Sequence, residues 1–224
     1  MKTYSWFIIL VLALVCSSCA WLGWGEEEEM NKSANLLLSE GTSSFRSGDY
    51  KSAVRAYTDL KDWYPFSQYA ILAELKIADA HYELEEYEEA IFAYEDFEKM
   101  HPKNEAIPYV IYKTGLCWFD QIGTVDRDST PARKSLEVFT RLTDQYPDSK
   151  FSSMAENNKK VCLENLAGHE LYVADFYLKT KKYLAALKRY EYLAQNFPRT
   201  KQAKEALTKI PECKKHLDEE KIEN

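Results

Sequence analysis

Glycine and proline are scarce in this chain. There are seven of each in 224 residues, which leaves little room for linkers between domains. Cysteine is scarce too. Beyond the first nineteen residues only Cys117, Cys162 and Cys213 remain, an odd number with no C-x-x-C spacing, so neither a disulfide framework nor a zinc site is indicated. Cys117 and Cys162 stand among apolar neighbours (Leu116, Trp118, Val161, Leu163) and read as small core residues, with a bridge between them as the alternative. Basic charge is short as well: 29 Lys and Arg face 36 Asp and Glu. The net charge of −7 argues against a nucleic-acid partner, which needs clustered basic surface. No phosphate loop, nucleophile elbow or dinucleotide fingerprint occurs. His169-Glu170 begins the metal-binding pattern H-E-x-x-H, but Val173 stands where the second histidine is required, so His169 reads as a polar helix residue. His81, His101 and His216 are scattered without partners at metal spacing. Pairs such as Glu85-Glu86 and Glu88-Glu89 read as solvated helix faces rather than acid/base catalysts. Nothing here points to an enzyme or to a bound cofactor.

What the chain does have is a spacing that recurs four times: a small residue, an aromatic four positions on, and a proline eight beyond that. It runs Ala53-Tyr57-Pro65, Ala90-Tyr94-Pro102, Ser135-Phe139-Pro147 and Ala186-Tyr190-Pro198. Leu60, Phe97, Leu142 and Leu193 follow each aromatic by three. The pattern resembles the second half of a tetratricopeptide repeat, a pair of antiparallel helices whose small residue lets the backbones approach. Each proline cannot continue its helix and marks the turn to the next unit. Twelve residues before the small residue, the first helix carries Gly41, Ala78 and Ala174. The inter-helix turn recurs as Gly48-Asp49-Tyr50, Glu85-Glu86-Tyr87 and Lys181-Lys182-Tyr183. The fold expected is all-α, a right-handed solenoid of antiparallel helix pairs, an architecture that binds other proteins.

Repeat three is irregular. Gly115 matches Gly41, but twenty residues separate it from Ser135, and the surplus falls in the polar stretch Asp120–Thr130. That stretch reads as a solvated loop, with Thr130-Pro131 as N-cap and first helical position. Asp126 and Asp128 lack the glycine and closing glutamate of a calcium loop. From Asp148 or Ser149 one long helix, or two joined near Gly168, extends toward Lys179. A further helix, Lys201–Ile210, is expected to stop at Pro211, leaving a mobile charged tail.

The N-terminus addresses location. Lys2, the ten-residue apolar run Trp6–Val15 and small residues after it describe an export signal, too short for the ~20 apolar residues of a transmembrane helix. Ser17-Ser18-Cys19 resembles a bacterial lipobox, with Cys16 where leucine is usual, and makes Cys19 the candidate lipid site; cleavage after Ala20 is the alternative. Ala20 following Cys19 favours the outer membrane, by resemblance to enterobacterial lipoprotein sorting. Residues 1–18 then form the signal peptide, 19–31 a lipidated start and acidic tether (Glu26 to Glu29), 32–210 the solenoid and 211–224 the tail.

Two segments make the resemblance specific. Trp63-Tyr64-Pro65-Phe66-Ser67-Gln68-Tyr69-Ala70 resembles the Y-P-F-S-x-Y-A turn of the BamD family, the tetratricopeptide lipoproteins of the outer-membrane β-barrel assembly machine. Leu166-Ala167-Gly168-His169-Glu170-Leu171-Tyr172-Val173-Ala174 is similar to that family's L-A-x-H-E-x-x-V-A helix. The likeness covers about residues 34 to 210, and the chain ends before the family's final helix pair is complete. It implies a lipid-anchored protein on the periplasmic face of the outer membrane, without enzyme activity and without a cofactor beyond the lipid on Cys19. The partners implied are unfolded β-barrel precursors, the periplasmic domains of the central barrel subunit and the other assembly lipoproteins. A different tetratricopeptide lipoprotein, pilotin-like or peptidoglycan-linked, is the rival. In such solenoids the first helix of each pair lines the concave face. Counted from Ala34, Ile71 and Pro108, that face includes Asn35, Thr42, Phe45 and Arg46, then Asp79 and Tyr82, then Tyr109, Tyr112 and Phe119. These form the expected extended-peptide groove, with Arg46 for a terminal carboxylate. Packing between repeats is the other reading of the aromatics.

Overall fold

The computed structural model describes residues 32–223. The expected signal peptide, the lipid site Cys19 and the tether to residue 31 lie outside them. Among the described residues the regular elements are all helices: α1 (Ala34–Arg46), α2 (Tyr50–Trp63), α3 (Ala70–Glu83), α4 (Tyr87–Met100), α5 (Ile107–Phe119), α6 (Thr130–Gln145), α7 (Lys150–Lys179), α8 (Tyr183–Asn196) and α9 (Lys201–Glu223). They fall into two compact units, the first ending at Ala80 and the second beginning at His81, within α3.

In the first unit, Ser33 caps α1 by accepting from the Leu36 amide, and Asp49 caps α2 by accepting from the Ser52 amide at 3.2 Å. The reversal between these helices passes through Gly48 at φ 81°, a left-handed conformation that costs glycine little. Leu37, Ala53, Tyr57, Leu60 and Ala73 make the core. The repeat register is plain here. A Cβ built on Gly41 would lie 2.6 Å from the Tyr57 ring, so only glycine lets α1 approach that ring. The Tyr57 hydroxyl completes the contact by donating to Thr42 Oγ1 at 3.2 Å.

The second unit repeats the arrangement. Ala90 and Tyr94, Ser135 and Phe139, and Ala186 and Tyr190 are all fully buried. Gly115 lies against Phe139 as Gly41 does against Tyr57, with a built Cβ only 2.4 Å from the ring. Glu85 and Lys181 take the turn position of Gly48 and share its positive φ, at 59° and 58°. Side chains are strained there, because Cβ crowds the backbone.

Between repeats three and four α7 runs unbroken for 30 residues through Gly168, the single-helix alternative. The loop before α6 is docked rather than simply solvated. Val125 fills the notch at Gly168, where a Cβ would meet its Cγ1 at 2.7 Å. Asn165 Nδ2 donates to the Gly123 carbonyl (3.0 Å), and His169 Nδ1 to the Val125 carbonyl (2.8 Å). His169 therefore pins a loop. Thr130 is the first residue of α6 instead of its cap, and the Asp128 carboxylate accepts from its amide and hydroxyl. Those two bonds hold the Asp128 carboxyl below its ordinary range.

The helix expected to stop at Pro211 continues to Glu223. Proline lacks an N–H and clashes with the preceding turn, a cost of about 3 kcal/mol in a helix interior. Contacts beyond it offset that cost. Cys213 is fully buried in the core of Ala174, Ala186, Tyr190 and Leu193, and His216 stacks on Tyr183 with ring centroids 4.4 Å apart. Residues 211–223 are thus the last turns of a packed helix and not a free tail. Cys117, Cys162 and Cys213 are free and buried, so the Cys117–Cys162 bridge is not formed. Burial pushes the Cys117 thiol up to about 12, which keeps it a small apolar residue.

Candidate functional site

The nine residues expected to line a groove do not behave alike. On α1, Asn35, Thr42 and Arg46 line one concavity of about 360 Å³ with Leu38, Ser39 and Ser43. The α1 helix spaces them at i, i+7 and i+11, so they share one face. Arg46 is exposed in the last turn, where a cation also complements the helix dipole. A guanidinium beside hydroxyl and amide groups can hold a carboxylate through paired N–H donors.

Phe45 and Asp79 lie elsewhere in the same unit and are tied through Lys76. The Lys76 ammonium stands 5.5 Å from the centroid of the Phe45 ring and 2.7 Å from Asp79 Oδ2. Phe45 also packs edge-on against Tyr50 at 5.2 Å. Asp79 is only 3% exposed, so it is a neutralised buried carboxylate and not a groove-lining charge. This corrects the expected position of Asp79.

In the second unit, Tyr82 donates to Asp120 Oδ2 at 2.5 Å, and the Lys113 ammonium sits 3.2 Å above its ring. Burial first, and Asp120 second, push the Tyr82 phenol well above its ordinary range. Tyr109, Tyr112 and Phe119 join an aromatic cluster. Tyr112 lies 5.8 Å from Phe139 and 5.7 Å from Phe151, Tyr109 is 5.5 Å from Phe151, and Phe119 is 6.3 Å from Phe139. Tyr112 is 8% exposed and belongs to the core between α5, α6 and α7. It cannot be a surface pocket, which corrects that expectation too. An aromatic at a concave-face position serves packing when the next helix presents aromatics opposite, as Phe139 and Phe151 do here.

One structural role went unread in the sequence, where Asp175 stands only as a candidate rim charge of the second half. Asp175, one position after the small Ala174, accepts from the Tyr190 hydroxyl at 2.6 Å and pairs with Lys209 at 2.8 Å. Thr42 holds the same position relative to Gly41 and Tyr57. Repeat three has Phe139 instead of tyrosine and carries Leu116 at that position. That pairing of hydroxyl ring with polar neighbour was the available signal.

Among the described residues no cluster of three or more His, Cys, Asp or Glu could hold a metal, and no helix is long and apolar enough to cross a membrane. Small residues under buried aromatics, repeated along paired helices, define a tetratricopeptide-type repeat protein. The solved TPR2AB domain of yeast Sti1, in its complex with pHSP90, shares the fold, with a TM-score of 0.50 over 80% of this chain and 73% of that one at 17% identity. The family model YfiO, described as outer membrane lipoprotein, matches residues 30–224, and the chain belongs to that family. Relatives called outer membrane protein assembly factor BamD include the Neisseria gonorrhoeae protein, 27% identical over 94% of this chain and 84% of its own length. The Vibrio cholerae protein is 26% identical over 92% and 87%, and that of Caulobacter vibrioides 28% over 80% and 58%.

Proposed function

We infer that this protein is an outer-membrane protein assembly factor, a scaffold that receives β-barrel precursors and presents them to the assembly machinery. Family membership over residues 30–224 carries the reading, and the relatives' shared name does not favour a pilotin-like or peptidoglycan-linked role. The finer parts of the proposal are three. Cys19 carries the lipid that ties the chain to the periplasmic face of the outer membrane. The periplasmic domains of the central barrel subunit dock on the second unit. The Asn35–Thr42–Arg46 concavity holds the terminal carboxylate of a precursor, with Arg46 as the anion-binding group. No step of this work requires catalysis.

Fluorescence anisotropy with a labelled β-barrel C-terminal peptide tests the concavity. Arg46→Ala and Asn35→Ala should weaken binding, Arg46→Ala by roughly ten-fold or more, since a charge-assisted hydrogen bond contributes ~1.5–3 kcal/mol. Both side chains are exposed, so neither change threatens the fold. Unchanged affinity in both variants would remove the site from α1. Co-purification with the central barrel subunit from solubilised envelope tests the wider reading.

A further inference from the structure

In a chain that is 29% charged, residues 63–73 carry no charge at all. This stretch joins α2 to α3 and exposes large apolar groups: Phe66 is 101% exposed, and Trp63, Ile71 and Leu72 are each more than one third exposed. A lone exposed apolar residue is ordinary, but four on one uncharged stretch with a fully presented phenylalanine are not. The turn itself is rigidly built, with the Ser67 amide donating to the Tyr64 carbonyl and the Ala70 amide to that of Ser67. Phe66 is therefore held outward by backbone geometry.

The same turn lies where the chain enters the fold. The Tyr64 hydroxyl donates to the Lys32 carbonyl at 2.7 Å, fixing the start of the described chain to the tyrosine that lies between Trp63 and Phe66 in the sequence. Lys32 stands thirteen positions after Cys19, a stretch that can span no more than roughly 45 Å at full extension. A lipid on Cys19 would keep this turn within that distance of the bilayer. Trp and Tyr favour the headgroup level, where the ring is partly desolvated and its polar edge stays wet, and an exposed Phe beside them adds purely apolar burial at the headgroup–acyl boundary.

We propose that the Trp63–Phe66 turn rests in the headgroup region of the membrane that holds Cys19, as a second, non-covalent contact orienting the first unit. It rests on the Cys19 anchor proposed above. Lipid chains alone leave a tethered domain free to rotate, and an exposed aromatic beside the tether adds interfacial burial that selects one orientation.

The test is Phe66→Trp in the mature lipidated protein, reconstituted into phosphatidylethanolamine–phosphatidylglycerol vesicles with or without bromine on the acyl chains. Emission of the added indole, taken as the difference from the parent, should be blue-shifted and quenched about two-fold by brominated lipid. Amide exchange over residues 63–69 should slow on vesicles relative to soluble Cys19→Ala protein. If the protein sediments with vesicles while the indole is unquenched, the anchor stands and this proposal falls. Equally slow exchange in vesicle-free Cys19→Ala protein would show that the chain's own Trp21–Trp24 segment, or another part of the protein, covers the turn, which also overturns it. Failure to sediment at all overturns the anchor itself, and the membrane contact with it.

Discussion

Repeats one and four use one frame and close it differently. In each, a small residue on the first helix lies against a buried tyrosine on the second, and that tyrosine's hydroxyl donates to the residue following the small one. In repeat one the pair is Gly41 and Tyr57, the acceptor is the neutral Thr42, and the turn is glycine. In repeat four the pair is Ala174 and Tyr190, the acceptor is Asp175, and the turn is Lys181 in a left-handed conformation. A further helix then covers repeat four, and its Lys209 binds Asp175 and Glu205. Burial pulls the Lys209 ammonium down, but those two carboxylates outweigh it and leave it raised. In repeat one Thr42 lines an open concavity. The register is thus a packing rule, while the residue beside it differs between a helix face covered by a further helix and one left open.

The comparison breaks most sharply at the small position. Gly41→Ala drives a Cβ to 2.6 Å from a ring that is buried and held by its hydroxyl, so the helix must shift. The expected cost is about 2–3 kcal/mol. Ala174 already accommodates its methyl, and Ala174→Gly should cost only about 1 kcal/mol from backbone entropy and lost packing. Urea midpoints decide between them, and a loss for Gly41→Ala no larger than that for Ala174→Gly would mean the Tyr57 ring yields to the added methyl.

Removing the ring hydroxyls comes next. Tyr190→Phe gives up a hydrogen bond to a carboxylate and should cost about 1.5 kcal/mol, the low end for a charged partner because Asp175 is partly open to solvent. Tyr57→Phe loses a neutral bond worth about 0.5–1 kcal/mol. Thermal melts should reproduce that order, and the reverse order would dismiss Asp175 as the seal of repeat four.

The turns differ by less. Gly48→Ala should lose about 1 kcal/mol, since a side chain is disfavoured at φ 81°. Lys181→Gly should gain about 0.5–1 kcal/mol by relieving the same strain, less the entropy that glycine loses on folding. A midpoint that falls for Lys181→Gly would mean the lysine makes a compensating contact.

The repeat frame was legible because it is written locally: small residue, aromatic and proline at fixed offsets, each now buried or terminating a helix as the spacing implies. What escaped the sequence depends on elements distant in the chain. Pro211 stays helical because Cys213, two residues on, reaches a core made by α7 and α8. The loop Asp120–Ser129 is shaped by Gly168 and His169, more than forty positions later, and no local pattern announces that docking. Among the groove residues, the register placed all nine on first helices. Only the facing side chains could tell the open Arg46 from the packed Tyr112 or the neutralised Asp79.

The smallest contrast is the helix cap after each turn, and it is legible in pH. In repeat one Asp49 caps α2, and its bonds to Ser52 hold the carboxyl below its ordinary value. In repeat four Lys182 occupies the cap position with no side-chain bond to the helix. A carboxyl whose folded pKa is below its unfolded value of about 3.9 is ionised in both states above that pH, so its stabilisation is complete there. As pH falls the unfolded chain takes up the proton first, and the contribution fades until it is lost below the folded pKa. Asp49→Asn keeps a capping oxygen but cannot titrate. The variant should therefore match the parent closely at pH 7, and its urea midpoint should fall less steeply than the parent's between about pH 4 and pH 2. Asp128, held down in the same way above α6, leaves a residual acid slope in both proteins. Lys182→Asp should add stability at neutral pH together with a new acid-sensitive component, so repeat four would acquire the pH behaviour of repeat one. Parallel acid limbs for parent and Asp49→Asn would show that the cap bond is absent in solution.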